Sequence, residues 1–343
     1  MSLKTAEFCS PSHPDKTCDF IADSILDAYL AGDKDSRVAV EVMGGHGLIT
    51  INGEVTSKAH PDLESIVKNI VGKENKNYKV IINLSRQSEG IAQGVDVGGA
   101  GDQGIMKGYA TAATSNLMPL EYNLARDLCA KVYQNYPYDG KVQVTIEVES
   151  EKYKVKSVVV SFQNSKNADL LPLVKKIMAD LTADSAFVAE TTSAKGAALA
   201  EEVEYLINPA GEWTQGGFDA DTGLSGRKLV IDNYGPEIPI GGGSFSGKDY
   251  TKVDRSGAYM ARKIAVDFVR DGKAKETFVK LAYAIGKPEP VMAVAVLDGR
   301  EVPIEGYDLT PAGIRKLLNL DNVQFSETSL WGHFGHPELP WEK

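Results

Sequence analysis

Residues 37–56 read RVAVEVMGGHGLITINGEVT. The stretch predicts two strands, Arg37–Met43 and Leu48–Ile51, with Asn52-Gly53 as the hairpin turn, because both residue types tolerate the positive φ of tight turns. A helix is predicted over Pro61–Val71, its apolar face formed by Leu63, Ile66, Val67, Ile70 and Val71, and then a strand over Tyr78–Leu84. The plan recurs twice. Val142, Val144, Ile146 and Val148 alternate, Lys154–Phe162 follows as a strand, and Leu170, Leu173, Val174, Ile177 and Leu181 mark a helix. A third unit places strands at Lys228–Asn233, Thr277–Ile285 and Val291–Leu297, and a helix after Thr310-Pro311. Further helices are expected over Thr17–Leu30, Pro119–Tyr136 and Val253–Val269. Strand pairs mixed with helices predict α+β layers rather than a doubly wound parallel sheet. Between Arg86 and Gly108 lie seven glycines and few large apolar residues, which suits a functional loop or closing lid.

The chain has 343 residues, more than one core usually organises, so two or three domains are expected. Apolar residues make up 43% and charged residues 24%, which excludes a largely disordered chain. A formal charge of −10 argues against a general nucleic-acid or membrane binder, since both need a positive field. The window 227–263 departs from that average, with seven cations against four carboxylates, +3, leaving −13 elsewhere. Cys9, Cys18 and Cys129 are too few for a disulfide framework, and their spacing does not suit structural zinc. No apolar run resembles a signal peptide or approaches bilayer-spanning length, so the chain is expected in the cytoplasm.

Two segments invite chemistry. Ser12-His13-Pro14-Asp15-Lys16 opens a helix, with Ser12 as expected N-cap. His13 and Lys16 are not called for by capping, and beside a helix N-terminus they suit a phosphate. Asp15 is placed to hold Mg²⁺ against phosphate oxygens. Residues 241–249, GGGSFSGKD, let backbone amides approach a polyanion, and Lys248, Lys252, Asp254 and Arg255 cluster around them. The order differs from a Walker A motif, which ends in Lys-Ser/Thr. Arg227 and Lys228 precede an apolar run and suit a triphosphate clamp. Glu41, within Val38–Val42, is expected half-buried, paired either with a basic side chain or with a cation.

Gly99-Ala100-Gly101-Asp102-Gln103-Gly104 and Gly241–Asp249 closely resemble the two signature segments of methionine adenosyltransferases, the S-adenosylmethionine synthetases. His13-Pro14-Asp15-Lys16, Asn52-Gly53-Glu54-Val55-Thr56, Gln93-Gly94-Val95-Asp96, Gly223–Lys228, Lys252–Ser256 and the ending around Gly332-His333-Phe334-Gly335 match in kind and order. The resemblance implies three similar α+β domains around a pseudo-threefold axis, here 1–98, 99–205 and 206–343. It implies formation of S-adenosylmethionine from ATP and L-methionine by sulfur attack on C5′, followed by hydrolysis of the triphosphate to phosphate and pyrophosphate. It further implies a homodimer or homotetramer with active sites between subunits, two Mg²⁺ and K⁺. By resemblance His13 sits at the departing oxygen, and Arg227, Lys228 and Lys248 hold the polyphosphate. Asp15 and Asp254 hold Mg²⁺, and Glu41 serves K⁺. Asp139, Gly140, Lys141 and Ser244 line the nucleotide, while Glu54, Gln87, Asp102, Asp221 and Lys252 lie near methionine. The loop from Gln87 to about Val97 resembles a mobile lid.

The chain departs from the family pattern at Glu89-Gly90, in a shortened stretch between Asp96 and Gly99, at Ser244, and at Gly211-Glu212-Trp213, where Gly-Arg-Phe is common. It also ends at Lys343, short of many relatives. Loss of His13, Asp15, Lys248 or Asp254 would mark a non-catalytic paralogue, and all four are present. A kinase would need a base placed for an acceptor hydroxyl, and no residue is singled out for that role.

Overall fold

A computed structural model of the chain describes residues 2–72, 77–86, 98–149, 152–183 and 198–343. The first hairpin joins β2 (Arg37–Gly45) to β3 (Leu48–Thr56), and it turns at His46-Gly47, where φ is 50° and 82°. Asn52-Gly53, the expected turn, instead lies inside β3 opposite Glu41 and Val40. Alternation continuing through Glu54, Val55 and Thr56 gives the ladder more partners than a turn at Asn52 would leave. Val38, Val40, Val42, Ile49 and Ile51 point to the core, so the intervening residues face outward. Glu41 therefore lies exposed on the open face, where half-burial was expected.

Three four-stranded sheets form the molecule, two of them mixed and the third wholly antiparallel. The first runs β4-β3-β2-β9, with β4 (Lys79–Ser85) parallel to β3 across α2 (Leu63–Val71), and β9 (Gly223–Leu224) antiparallel to β2. The second runs β1-β6-β7-β8. Here β1 (Ser2–Cys9) is antiparallel to β6 (Gly140–Glu149), β7 (Lys152–Phe162) completes the hairpin, and β8 (Ala198–Ile207) is parallel to it beyond α4 (Asn167–Ala183). The third runs β12-β11-β10-β5, joining β5 (Gly104–Thr111), β10 (Glu276–Tyr283), β11 (Met292–Leu297) and β12 (Arg300–Pro303). Its last strand closes antiparallel through Asp298-Gly299, and α7 (Pro311–Leu317) follows.

The sheets exchange strands in a cycle. β1 lies in the second sheet, but the helix after it, α1 (Pro14–Gly32), packs on β2 and β9 of the first. β5 lies in the third, and α3 (Leu120–Tyr133) packs on β1 and β6 of the second. β9 lies in the first, and α6 (Val253–Arg270) packs on β5 and β10 of the third. This cyclic permutation is the connectivity a pseudo-threefold arrangement requires. Each sheet thus draws on more than one of the sequence segments 1–98, 99–205 and 206–343.

Lys228–Asn233, expected as a strand, is a one-turn helix, α5 (Leu229–Asp232), closed by Asp232 N–H donating to the Lys228 carbonyl at 2.8 Å. The place of the expected strand is taken by β5, from the glycine-rich segment. Gly108 permits it: a Cβ there would lie 2.1 Å from the Ala261 backbone. Near the chain end, α8 (Phe325–Thr328) leads to Trp341, which stacks on Tyr259 at 3.8 Å between ring centroids. The buried Arg262 pairs with Glu342 at 2.7 Å. All three cysteines are buried and unpaired. Among the described residues no helix is long and apolar enough to cross a membrane.

Candidate active site

β2 gathers the predicted cations along one edge. Its N-terminal half bonds the glycine loop, through Val40 N–H to the Gly247 carbonyl at 3.1 Å and Asp249 N–H to the Val38 carbonyl at 3.2 Å. Its C-terminal half pairs with Gly223-Leu224, and Ser225 N–H donates to the Val42 carbonyl at 2.9 Å. The two loops meet where Gly226, at φ +74°, packs on Ser244: a Cβ at Gly226 would lie 2.7 Å from the Ser244 hydroxyl. That hydroxyl is buried with no hydrogen-bond partner among the described residues, which suits a ligand contact.

The N-terminus of α1 supplies the other wall. His13, rather than the expected Ser12, is the N-cap, and its Nδ1 accepts from Asp15 N–H at 3.1 Å. Ser12 instead bonds the Tyr133 hydroxyl at 3.0 Å. Since Nδ1 is an acceptor, the ring proton resides on Nε2. Burial, reinforced by the charges of Lys228 and Lys141, lowers the His13 imidazole to about 4, so it is neutral at pH 7. Asp15 accepts from Leu224 N–H at 2.9 Å and from Lys228 Nζ. Burial alone would raise this carboxyl, but those two bonds hold it below its ordinary value.

Asp139-Gly140-Lys141 reaches the same corner through the β1–β6 ladder, which pairs Cys9 with Lys141 and continues as Ser10 N–H to the Gly140 carbonyl at 2.9 Å. Burial raises the Asp139 carboxyl, which accepts from Gly217 N–H at 3.0 Å. A cleft of about 410 Å³ opens here, lined by Ser12, Tyr133, Tyr138, Asp139, Gly217 and Phe218 among others. Asp221 is exposed and close enough to act electrostatically on both His13 and Asp139.

The Gly99–Gly104 signature folds onto the start of α6. Gly101 N–H donates to the Thr251 carbonyl at 3.1 Å, one residue before Lys252 in the chain. Lys248 Nζ bonds Asp254 at 2.7 Å, and Gly243 makes room, since a Cβ there would lie 2.0 Å from the Asp254 carboxyl carbon. Lys252 Nζ bonds the fully buried Asp249 at 2.7 Å. Arg227 is exposed and makes no side-chain bond among the described residues. Glu41 accepts from the Ser225 hydroxyl. Glu54 shares the open face of the first sheet with Glu41, away from His13. Gln87 and the 87–97 segment lie outside the described residues.

The +3 window divides. Arg255 pairs bidentately with the buried Asp23 at 2.6 and 2.8 Å, Arg262 with Glu342, and Lys263 with Asp267. Those three cations brace the fold, leaving Arg227, Lys228, Lys248 and Lys252 at the site. Glu212, at the departure from Gly-Arg-Phe, accepts from Asn167 N–H at 2.7 Å and caps α4. Asp19, Asp23 and Asp232 also lie here, and no sequence motif marks them. Lys16 bonds Asp232 at 2.5 Å and lies 3.6 Å from Asp19, whose carboxyl burial pushes up to about 7.

Glycine amides, a helix N-terminus and four cations on α+β layers suit the class of enzymes that act on a polyanionic substrate. Models of the N-terminal, central and C-terminal domains of S-adenosylmethionine synthetase match residues 1–93, 97–213 and 215–343. An S-adenosylmethionine synthase of Thermus thermophilus is 38% identical over 100% of this chain and 96% of its own. S-adenosylmethionine synthase 1 of Frankia casuarinae is 39% identical over 99% and 96%. A solved structure described as an unusual S-adenosylmethionine synthetase from Campylobacter jejuni superposes with a TM-score of 0.85 at 33% identity, covering 100% of this chain and 97% of that one. The chain belongs to the S-adenosylmethionine synthetase family, enzymes that make S-adenosylmethionine from ATP and methionine.

Proposed function

We propose that the corner between α1, the Gly223–Lys228 turn and the Gly241–Asp249 loop holds the polyphosphate of ATP, with Arg227, Lys228 and Lys248 on its oxygens. The observation that carries this is the convergence of both cation-bearing loops on one edge of β2. A neutral thioether attacking C5′ needs no general base, so the barrier lies in expelling the triphosphate, which cations and oriented donors stabilise. His13 donates Nε2–H to the departing oxygen, a role its neutral form allows without a proton transfer. Asp139, Gly140, Lys141 and Ser244 line the nucleotide, its adenosine part entering the adjoining cleft. Asp102, Asp221 and Glu54 suit methionine's ammonium and Lys252 its carboxylate, while Gln87, which the resemblance puts near methionine, lies outside the described residues.

Asp15 and Asp254 are separate carboxylates, and among the described residues no three His, Cys, Asp or Glu side chains cluster as a metal cage. That donor set fits Mg²⁺, which takes one or two carboxylates plus substrate phosphates. Two Mg²⁺, one at Asp15 and one at Asp254, would neutralise charge on the leaving triphosphate. Lys228 and Lys248 now bond those carboxylates, and in our reading they turn to phosphate oxygens when substrate binds. Glu41 with Ser225 offers an oxygen donor pair suited to K⁺.

The open sheet faces argue for a second copy of the chain. Leu224, Met43 and Ile81 lie in one cross-strand row of the first sheet, each between 37% and 44% exposed, and Ile105 of the third is 51% exposed. Glu41 and Glu54 share the first of these faces, so a homodimer or homotetramer, in the cytoplasm, completes the site between subunits. The test incubates Lys248→Ala and the parent chain with ATP, methionine, Mg²⁺ and K⁺. The parent should yield S-adenosylmethionine with phosphate and pyrophosphate. The variant should turn over at least about tenfold more slowly, the scale of one lost transition-state contact. Equal turnover rejects the assignment.

A further inference from the structure

An aspartate recurs at every fourth position of α1: Asp15, Asp19, Asp23 and Asp27. Four-residue spacing keeps side chains on one face of a helix, rising about 6 Å per step. Each carboxylate takes a backbone N–H from a segment far along the chain. Asp15 accepts from Leu224 at 2.9 Å, Asp19 from Gly226 at 2.8 Å, and Asp23 from Gly247 at 2.8 Å. Asp27 accepts from Phe325 and Ser326 at 2.8 and 2.9 Å. The first three amides belong to the two loops that carry Arg227, Lys228 and Lys248. Gly226 and Gly247 sit at φ +74° and +77°, a region glycine enters at little cost, so these amides need an external partner to fix them. Asp23 does more: its partner Arg255 also donates to the Lys248 carbonyl at 3.2 Å.

We propose that Asp19 and Asp23 are positioning residues, which use α1 as a ruler to hold the Gly226 and Gly247 loops at fixed separation for the polyphosphate. Asp27 sits on the same face but anchors the chain end, away from substrate. The proposal rests on the assignment of Arg227, Lys228 and Lys248 to polyphosphate. It differs from mere stabilisation in what it predicts for turnover. A loop displaced by about 1 Å costs the transition state more than the ground state, so kcat should fall with little change in the KM for methionine.

The experiment compares Asp19→Ala, Asp19→Asn and Asp27→Ala by steady-state kinetics with ATP, methionine, Mg²⁺ and K⁺, and by thermal melting. Asp19→Ala should lose about tenfold to a hundredfold in kcat while the methionine KM moves less than about threefold. Asp19→Asn keeps an oxygen for the Gly226 amide and should recover kcat to within about threefold of the parent chain. Asp27→Ala should melt earlier with kcat unchanged. Parent-like kcat in Asp19→Ala overturns the proposal, as does equal damage in Asp19→Asn or Asp27→Ala. If Asp19→Ala does not fold, Asp19→Glu takes its place: one added methylene displaces Gly226, and a parent-like kcat there overturns the proposal. Should Lys248→Ala slow turnover while Asp19→Ala does not, the polyphosphate assignment stands and the ruler falls. If neither slows it, both fall.

Discussion

His13 is the residue whose environment most constrains its role. Its ordinary value of 6.5 falls to about 4 in the folded chain, through burial first and the Lys228 and Lys141 charges second. Between those pH values the unfolded chain binds more protons than the folded one, so His13 costs stability on acidification. Asp19, raised by burial from 3.8 to about 7, acts in the opposite sense over nearly the same window. The comparison therefore has to be between the parent and His13→Asn. On moving from pH 7.5 to pH 5 in urea denaturation, the variant should gain about 2 kcal/mol relative to the parent. Identical pH slopes would contradict a neutral His13. His13, Asp15 and Lys248 were legible in the sequence because cations and a histidine beside glycine turns and helix starts have little structural reason to be there. Asp19 and Asp23 were not, since mid-helix aspartates read as solvated polar positions; their four-residue recurrence was the signal. Glu41 was misplaced because an apolar run was taken as burial, when strand alternation between Val40 and Val42 puts it outside.

At the scale of elements, α1 and β2 do the gathering, one through carboxylates and the other through backbone bonds. The helices were read nearly in full, because a 3.6-residue apolar period needs no partner to be recognised. Strands whose partners lie far along the chain were harder. β1 was missed, and β5 was hidden in glycines that read as loop, because Gly108 is needed for contact with α6 rather than for a turn. Gly108→Ala forces the α6 backbone outward and with it Asp254 and Lys252. It should cost about 3 kcal/mol in urea denaturation, the upper range of overpacking, and also slow turnover. Parent-like stability and turnover would show that the β5–α6 approach is not limiting.

For the whole molecule, the cyclic exchange of β1, β5 and β9 means that no contiguous third of the chain contains a complete sheet. Three α+β repeats were legible from periodicity, whereas the exchange was not, since nothing in a strand's own sequence names its partner. The physical consequence is coupling: removing any one segment leaves two sheets with unpaired edges. Thermal or urea unfolding of the full chain should therefore be a single transition by fluorescence and circular dichroism together, and residues 99–205 alone should not melt cooperatively. A fragment with its own sharp transition would contradict the interlocked fold.

In our reading Arg227, Lys228 and Lys248 form one polyphosphate site with Asp15 and Asp254. Calorimetric titration of Mg²⁺-tripolyphosphate into the parent, Arg227→Ala and Lys248→Ala chains tests it without methionine or turnover. The parent should bind it, and each variant should bind about tenfold or more weakly, the scale of one charge-assisted contact. Mg²⁺ alone should give no saturable heat. Unchanged affinity in both variants, or tight Mg²⁺ binding without polyphosphate, would contradict that reading.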